Sequence, residues 1–209
     1  RILQRTKKII ILDKIPGSFR DPSGFLFMHT NTLYRHIHLS YQENYDHLMQ
    51  SGLYQALVET DLLIPHSEIE RPNVFSQESY KTIQPEPIPF VSYPYEWSFS
   101  QLKDAALITL KIQKKSLEFG MTLKDASAYN IQFKKGRPIF IDTLSFERHI
   151  EGEPWIAYRQ FCQHFLASLA LISYRDIRLH QLTRSHLDGI PLDPASSMLP
   201  FRTYFNFSL

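Results

Sequence analysis

The chain reads Lys124-Asp125-Ala126-Ser127-Ala128-Tyr129-Asn130 and, after five further residues, Gly136-Arg137-Pro138-Ile139-Phe140-Ile141-Asp142. The two stretches predict a loop followed by a tight hairpin. Such a hairpin would bring Asp125, Asn130 and Asp142 to one edge of a sheet. A carboxylate can accept a proton, and carboxylate and amide oxygens can bind a hard cation such as Mg²⁺. These three residues are therefore the candidate functional residues.

Composition limits the classes of protein that fit. With 209 residues, 43% of them hydrophobic, the chain can bury a core in one sizeable domain or two small ones. Its net charge of +2 gives no electrostatic case for binding nucleic acid. Cys162 is the single cysteine, which excludes an internal disulfide, and its apolar helical surroundings predict a core position.

The sequence also indicates where in the cell the protein lies and whether the chain is part of a longer protein. No apolar run is long enough to span a membrane, and no signal peptide is present. We therefore expect a cytoplasmic domain. Because the chain begins at Arg1 rather than Met and ends in the apolar stretch 205–209, we interpret it as part of a longer protein.

The N-terminal part of the chain predicts an antiparallel meander and one helix. Turn signals such as Asp21-Pro22-Ser23-Gly24 separate short apolar or alternating runs. Apolar residues then change to the helical period over 42–60. The predicted strands lie at 7–13, 25–27, 33–39 and 80–83.

An extended aromatic stretch at 90–97 leads into a long predicted helix. Ser98 or Ser100 can cap this helix, and Gly120 ends it. Its predicted apolar pattern includes Leu102, Ala105, Ala106, Leu110, Ile112 and Leu117.

The remainder of the chain predicts a hairpin and then helix. The hairpin arms are 131–133 and 138–141, joined by a turn at 134–136. Helical periodicity returns from 154 to about 182.

The order and spacing of the two aspartates and the asparagine resemble the catalytic loop and metal-binding strand of the protein-kinase-like superfamily, which includes the aminoglycoside phosphotransferases. The resemblance implies an α+β, two-lobed fold. Residues 1–91 would form a small lobe of antiparallel strands plus one helix, and 92–97 would be the hinge. Residues 98–209 would form a helical lobe with a small hairpin, truncated at its end.

The same resemblance implies a role for each candidate residue. Asp125 would be the catalytic base, and Asn130 and Asp142 would bind Mg²⁺ on the phosphates of ATP. Two departures accompany the match. Leu123 stands where the superfamily often has histidine, and Thr143-Leu144 replaces its Phe-Gly pair.

The resemblance places the nucleotide between the lobes, on residues of the small lobe and hinge. Arg35, the only cation in 33–39, would contact the phosphates, and the backbone around Tyr93 and Tyr95 would pair with the base. The stretch 16–24 could cover the phosphates, although it lacks the superfamily's glycine spacing.

Arg35 has a second interpretation, because arginine does not simply replace the lysine of that strand. It could form a surface or inter-strand ion pair instead. If it pairs with a helix, the partner is Glu43 or Glu59, and their spacing does not decide between them.

Other kinds of site have weaker support. His36 and His38 share one strand face as a two-ligand pair, but no third ligand follows at metal-site spacing, so a polar strand face is favoured. A Ser/His/Asp hydrolase has no support, because no Gly-x-Ser-x-Gly stretch is present.

Six stretches carry a second resemblance that covers most of the chain. They are Arg20–Phe25, Pro94–Phe99, Leu102–Ala106, Lys124–Asn130, Ile141–Glu147 and Gly189–Asp193. They resemble the N-terminal region of bacterial proteins described as class I SAM-dependent methyltransferases, some linked to nodulation or surface polysaccharide. Such an enzyme needs a Gly-x-Gly-type turn after a strand. Since every glycine here is isolated, the resemblance implies a SAM-binding domain beyond Leu209.

The two resemblances together imply a Mg-ATP-dependent phosphotransferase domain that acts on a small-molecule or saccharide hydroxyl, ahead of a downstream methyltransferase domain. The alternative is a non-catalytic module of the same fold that binds a substrate or partner for that domain, with Tyr93, Tyr95 and Trp97 as an interface. A third interpretation is an unrelated α+β domain, in which the aspartates and asparagine only begin turns.

Overall fold

The computed structural model describes residues 13–15, 21–69 and 79–205. Residues 7–12 of the predicted first strand and 16–20 of the candidate phosphate-covering stretch lie outside this part of the chain. The chain divides into two compact units, one of 1–43 and 65–87 and one of 44–64 and 88–209. The predicted lobe boundaries, with a hinge at 92–97, stay a prediction.

The first unit contains an antiparallel sheet. Its strands are β1 (Asp13–Lys14), β2 (Gly24–His29), β3 (Thr32–His38), β4 (His66–Ile69) and β5 (Ser79–Pro85), in the order β1-β2-β3-β5-β4. Thr30 and Asn31 have φ of 45° and 63°, the left-handed values that a two-residue hairpin turn requires. The strands predicted at 25–27, 33–39 and 80–83 are therefore confirmed as parts of this antiparallel sheet.

The helical segment after β3 is broken where one helix was predicted. Its two parts are α1 (Gln42–Gln50) and α2 (Leu53–Glu59). Gly52 between them has a φ of 87°, which a helix cannot contain. Leu48, Leu53 and Leu57 share a core with the long helix of the second unit, so most of this segment belongs to that unit.

The aromatic stretch 90–97 is not fully extended, because Pro94–Glu96 form a 3-10 helix. Tyr93 closes this turn: its backbone N–H donates to Glu96 Oε2 at 2.8 Å. Trp97 is buried, and its indole N–H donates to Ser92 Oγ at 2.9 Å.

The long helix α3 (Phe99–Glu118) is confirmed. Ser98 and Gln101 form a capping box at its start, and Gly120 follows its end with a φ of 69°. Its inner face is buried in the core, but Leu110 and Leu117 are 41% and 43% exposed. Both lie on the side of the helix that faces away from the core, although the predicted apolar pattern grouped them with buried residues such as Leu102 and Ile112.

The predicted hairpin and the helical end are also present. Strands β6 (Met121–Leu123), β7 (Ile131–Lys134), β8 (Arg137–Phe140) and β9 (Phe146–Arg148) form two small sheets, β6 with β9 and β7 with β8. The helices that follow are α4 (Tyr158–Phe161), α5 (Ala167–Tyr174), α6 (Leu182–Ser185) and α7 (Leu192–Met198). A π-helix, Cys162–Leu166, joins α4 to α5, so the chain is helical without a break over 158–174. The predicted helix over 154 to about 182 is interrupted at Arg175 and Asp176, after which Ile177–Gln181 form a 3-10 helix.

Cys162 is buried in the core of the second unit, as predicted. Among the described residues, no helix combines the length and apolar character that crossing a membrane requires. The sheet of the first unit and the helices of the second make the architecture mixed α and β.

Buried histidines predict an acid-sensitive fold. Burial lowers the pKa of His164 and His180, and it lowers the pKa of His66 from 6.5 to about 4. Because each folded pKa lies below the unfolded value, the stabilisation is present above pH 6.5 and is lost as the pH falls toward 4. We expect His66 to contribute about 3 kcal/mol of this loss.

Urea unfolding at a series of pH values between 8 and 4.5 measures this dependence. His66→Gln should flatten the curve, since it removes the residue with the largest shift. A free energy of unfolding that is constant over that range would contradict the prediction.

Candidate functional site

The β7–β8 hairpin brings Asn130 and Asp142 together. Ile131 pairs with Phe140, and the Ile141 N–H donates to the Asn130 carbonyl at 2.8 Å. Asn130 immediately precedes β7, and Asp142 lies just beyond the end of β8. Both side chains therefore leave the backbone at the open end of the hairpin.

Ser145 connects these two side chains. Asn130 Nδ2 donates to Ser145 Oγ at 3.2 Å, and Ser145 Oγ donates to Asp142 Oδ2 at 2.7 Å. A hydroxyl has a single proton, so donating it to the carboxylate leaves the oxygen to accept from the amide. This orientation directs the Asn130 amide nitrogen toward Ser145 and its Oδ1 away from it.

The backbone fixes Ser145 tightly. Ser145 is 1% exposed, and its backbone carbonyl accepts a hydrogen bond from the Lys124 N–H at 2.9 Å. The Leu144 N–H donates to Asp142 Oδ1 at 3.2 Å, so both carboxylate oxygens of Asp142 are hydrogen-bonded within this turn. The bond from Lys124 also links the Asp142 loop to the residue just before Asp125.

Asp125 is oriented by its own set of donors. Its Oδ1 accepts from the Ser127 N–H at 2.8 Å and from Gln160 Nε2 at 2.9 Å. Gln160 Oε1 in turn accepts from the Ala126 N–H at 2.7 Å. Among the described residues, none donates to Asp125 Oδ2, so this oxygen keeps its full capacity to accept a hydrogen bond.

Ser145 and Gln160 are the residues that sequence reasoning missed. Ser145 lies inside the stretch quoted for the methyltransferase resemblance, but nothing assigned it a role. Gln160 lies 35 positions from Asp125, and a glutamine in a helical pattern carries no signal of a long-range contact.

Tyr129, His164 and Asp188 lie near this loop. The Tyr129 and His164 rings meet edge to face, with centroids 6.2 Å apart. Burial lowers the pKa of His164, whereas the charges of Asp125 and Asp188 oppose that shift. The Tyr129 hydroxyl is buried without a hydrogen-bond partner in the described structure, and burial raises the pKa of Tyr129.

Tyr93 and Tyr95, predicted to contact the base, stack with ring centroids 5.4 Å apart and planes 7° from parallel. The backbone groups of Tyr93 are already used in its turn, because its carbonyl accepts from the Glu96 N–H at 2.8 Å and its N–H donates to the Glu96 side chain. Pairing with a base through the Tyr93 N–H would require its bond to the Glu96 side chain to break.

Arg35 lies on β3 in the first unit, where its guanidinium forms an ion pair with Asp21. Its side chain is 11% exposed. Asp21 belongs to the turn that enters β2, and it also accepts from the Ser23 N–H at 2.8 Å. In this conformation Arg35 therefore forms an ion pair, as its second interpretation predicted. Its partner is Asp21 rather than Glu43 or Glu59. Contact between Arg35 and phosphate stays a prediction.

His36 does not lie on a solvated strand face, because it is buried against Phe25 with ring centroids 4.7 Å apart. Within the described ranges, no group of three or more His, Cys, Asp or Glu side chains is placed to hold a metal ion.

The Asn130–Asp142 arrangement does fit Mg²⁺. Magnesium is usually held by one or two protein oxygens together with phosphates and water, rather than by a full protein cage. Asn130 Oδ1 is directed away from Ser145, and a carboxylate can accept about four interactions. A hydrogen-bonded Asp142 is therefore compatible with metal binding, and its bonds would orient it.

Comparison with known proteins gives a relative and a structural neighbour, whereas no protein-family model matches the chain. The chain is 35% identical over 198 residues to the nodulation protein NoeA of Rhizobium meliloti (strain 1021). The alignment covers 94% of this chain but only 41% of that protein, so the chain spans less than half of its relative.

Among solved structures, the chain is similar to vaccinia related kinase 3, with a TM-score of 0.41 and 13% sequence identity. The match covers 65% of this chain and 47% of the kinase.

If Asn130 and Asp142 hold Mg-ATP, replacing Ser145 with alanine should weaken that binding by about 10–100-fold, because the residues that orient metal ligands have effects of this size. Isothermal titration calorimetry measures the affinity. Ser127→Ala is a matched control, since Ser127 Oγ accepts only from the nearby Tyr129 N–H at 3.2 Å. Equal affinities for the two variants would refute the orienting role of Ser145.

Proposed function

We propose that this chain is a Mg-ATP-dependent phosphotransferase domain with a two-lobed, protein-kinase-like fold. Its acceptor would be the hydroxyl of a small molecule or saccharide, and its location the cytoplasm. The observation that supports this proposal most is the hydrogen-bonded link from Asn130 through Ser145 to Asp142, at the end of a hairpin that follows Asp125.

Asn130 and Asp142 would hold the metal ion. Asn130 contributes Oδ1, which the bond from its amide nitrogen to Ser145 directs outward. Asp142 contributes its carboxylate, which Ser145 and the Leu144 N–H hold in place. When bound, Mg²⁺ neutralises charge on the phosphate oxygens of the nucleotide.

Asp125 would act on the acceptor hydroxyl. Its Oδ1 is held by Ser127 and Gln160, so Oδ2 can be aimed at the acceptor without rotation of the carboxylate. Oδ2 takes the hydroxyl proton as the acceptor oxygen bonds to the γ-phosphorus of ATP, and the bond from that phosphorus to the bridging oxygen breaks. The products are ADP and the phosphorylated acceptor, with the proton on Asp125.

NoeA is more than twice as long as the region that matches this chain. Since the chain matches 41% of that protein, further domains can accompany it. We place SAM binding in a downstream methyltransferase domain beyond Leu209, which would be the partner of this one.

A non-catalytic binding module is the second candidate, and two observations favour it. Arg35 is paired with Asp21, and the backbone of Tyr93 is closed on Glu96. Both residues were expected to contact the nucleotide. A module of this kind would bind a substrate or partner for the methyltransferase domain and transfer no phosphate.

Incubation with γ-labelled ATP, Mg²⁺ and a panel of alcohols, sugars and oligosaccharides tests the proposal. We expect label transfer to at least one acceptor, with a kcat reduced about 100- to 10,000-fold in Asp125→Asn. Transfer that is unaffected by this substitution would remove Asp125 as the base. Binding of Mg-ATP without transfer to any acceptor would favour the module.

A further inference from the structure

The outer face of α3 carries an apolar stripe that the core does not use. Leu107, Leu110 and Leu117 are 56%, 41% and 43% exposed. Residues three, four or seven positions apart lie on one side of a helix, so the three leucines lie in one row. The opposite side of α3 is buried in the core through residues such as Leu102 and Ile112.

Two lysines belong to the same row. Lys103, Leu107, Leu110, Lys114 and Leu117 are spaced alternately by four and three positions, which is the spacing of a coiled-coil seam. Both lysines are exposed. The seam therefore combines three leucines with two cations at fixed positions.

The helix that presents this seam is preformed. α3 has 20 residues, a capping box at its start and a buried inner face. A rigid surface loses little conformational entropy on binding, which favours association. The seam therefore has the geometry of a helix-docking face before any partner arrives.

We propose that this face of α3 binds an amphipathic helix of a protein partner, with apolar residues packed on the three leucines and carboxylates paired with Lys103 and Lys114. The two lysines are eleven residues apart, a separation of about 16 Å along the helix. A partner helix with acidic residues at the same separation fits both charges at once.

The charges argue against two other occupants. A membrane surface would bury lysines that lie within the apolar row, whereas membrane-bound helices keep them on the polar face. A second copy packed antiparallel about Leu110 would set Lys103 opposite Leu117 and Leu107 opposite Lys114. Each seam lysine would then lie opposite a leucine of the other copy rather than opposite a carboxylate.

A pair of synthetic helical peptides tests this proposal on the 209-residue chain. Each peptide has three heptads with leucine at its seam positions, except at two seam positions eleven residues apart. Those two positions hold glutamate in one peptide and lysine in the other. We expect the glutamate peptide to bind at least about tenfold more tightly, by fluorescence anisotropy. Leu107→Glu with Leu110→Glu should abolish binding, with unchanged circular dichroism showing that the fold is retained.

A charge exchange provides the sharpest control. The variant Lys103→Glu with Lys114→Glu should reverse the preference and select the lysine peptide. Three results would overturn the proposal: no binding of either peptide, binding that the leucine substitutions leave unchanged, or a preference that the exchange does not reverse. A different occupant would be shown if neither peptide binds but the chain binds anionic vesicles or associates with itself. If the leucine substitutions abolish that binding or association, the face belongs to a membrane or to a second copy instead.

Discussion

Replacing Gly189 with alanine is expected to lower the free energy of unfolding by about 2–5 kcal/mol. Gly189 has a φ of +93°, which side chains rarely adopt, and an added Cβ would lie 2.7 Å from Gln163 Cβ and 3.0 Å from its backbone carbon. The Ile190 N–H donates to the Gln163 carbonyl at 2.9 Å, so the loop cannot move away without losing this bond. Chemical denaturation measures the change.

Gly152 provides a matched control for this substitution. Its φ is +87°, but a Cβ there would meet nothing within 4 Å. Gly152→Ala should therefore cost only the backbone strain, about 1 kcal/mol. Equal losses for the two variants would show that the contact with the π-helix is not what makes Gly189 necessary.

If Asp142 holds Mg²⁺, replacing it with alanine should reduce Mg-ATP affinity by more than about 100-fold, since a residue that contacts the metal should matter more than the residues that orient it. Removal of its carboxylate also deletes the bonds from Ser145 and the Leu144 N–H. The stability cost of those bonds should be about 1–3 kcal/mol, so we expect the chain to stay folded. Calorimetric titration with Mg-ATP gives the affinity.

Asp193→Ala removes an exposed carboxylate from α7 and controls for the change in net charge. It should bind Mg-ATP as the unsubstituted chain does. If Asp142→Ala and Asp193→Ala have the same affinity, Asp142 is not a metal ligand.

The parts of the fold that sequence predicted well depend on local chemistry. The start of α3 follows from the capping box of Ser98 and Gln101, and the β7–β8 hairpin from a turn in which Lys135 and Gly136 take left-handed φ values of 52° and 77°. Each signal lies within a few residues of the structure that it specifies. Neighbouring residues alone were enough to place both elements.

The sequence predictions failed where tertiary packing, rather than the local sequence, determines the structure. Leu110 and Leu117 have the spacing of a core-facing row, yet α3 buries its other side. Gly52 fits a helical pattern by position, although its left-handed backbone divides α1 from α2. Periodicity alone cannot tell which face of a helix meets the core.

The candidate site shows the same division. Asp125, Asn130 and Asp142 could be selected from their spacing, and the hairpin that joins Asn130 to Asp142 is present. The groups that orient them, Ser145 and Gln160, act through contacts between separate segments. The ion pair of Arg35 with Asp21 is likewise a long-range contact, so the pattern of β3 left its partner open.

Thermal unfolding of the unsubstituted chain in four solutions tests the central claim most directly: buffer alone, Mg²⁺, ATP, and both together. If Asn130 and Asp142 hold a metal–nucleotide complex, Mg²⁺ and ATP together should raise the midpoint by about 5–10 °C at a hundredfold excess over Kd. Either ligand alone should raise it far less. A midpoint that is the same in all four solutions would contradict the proposed site.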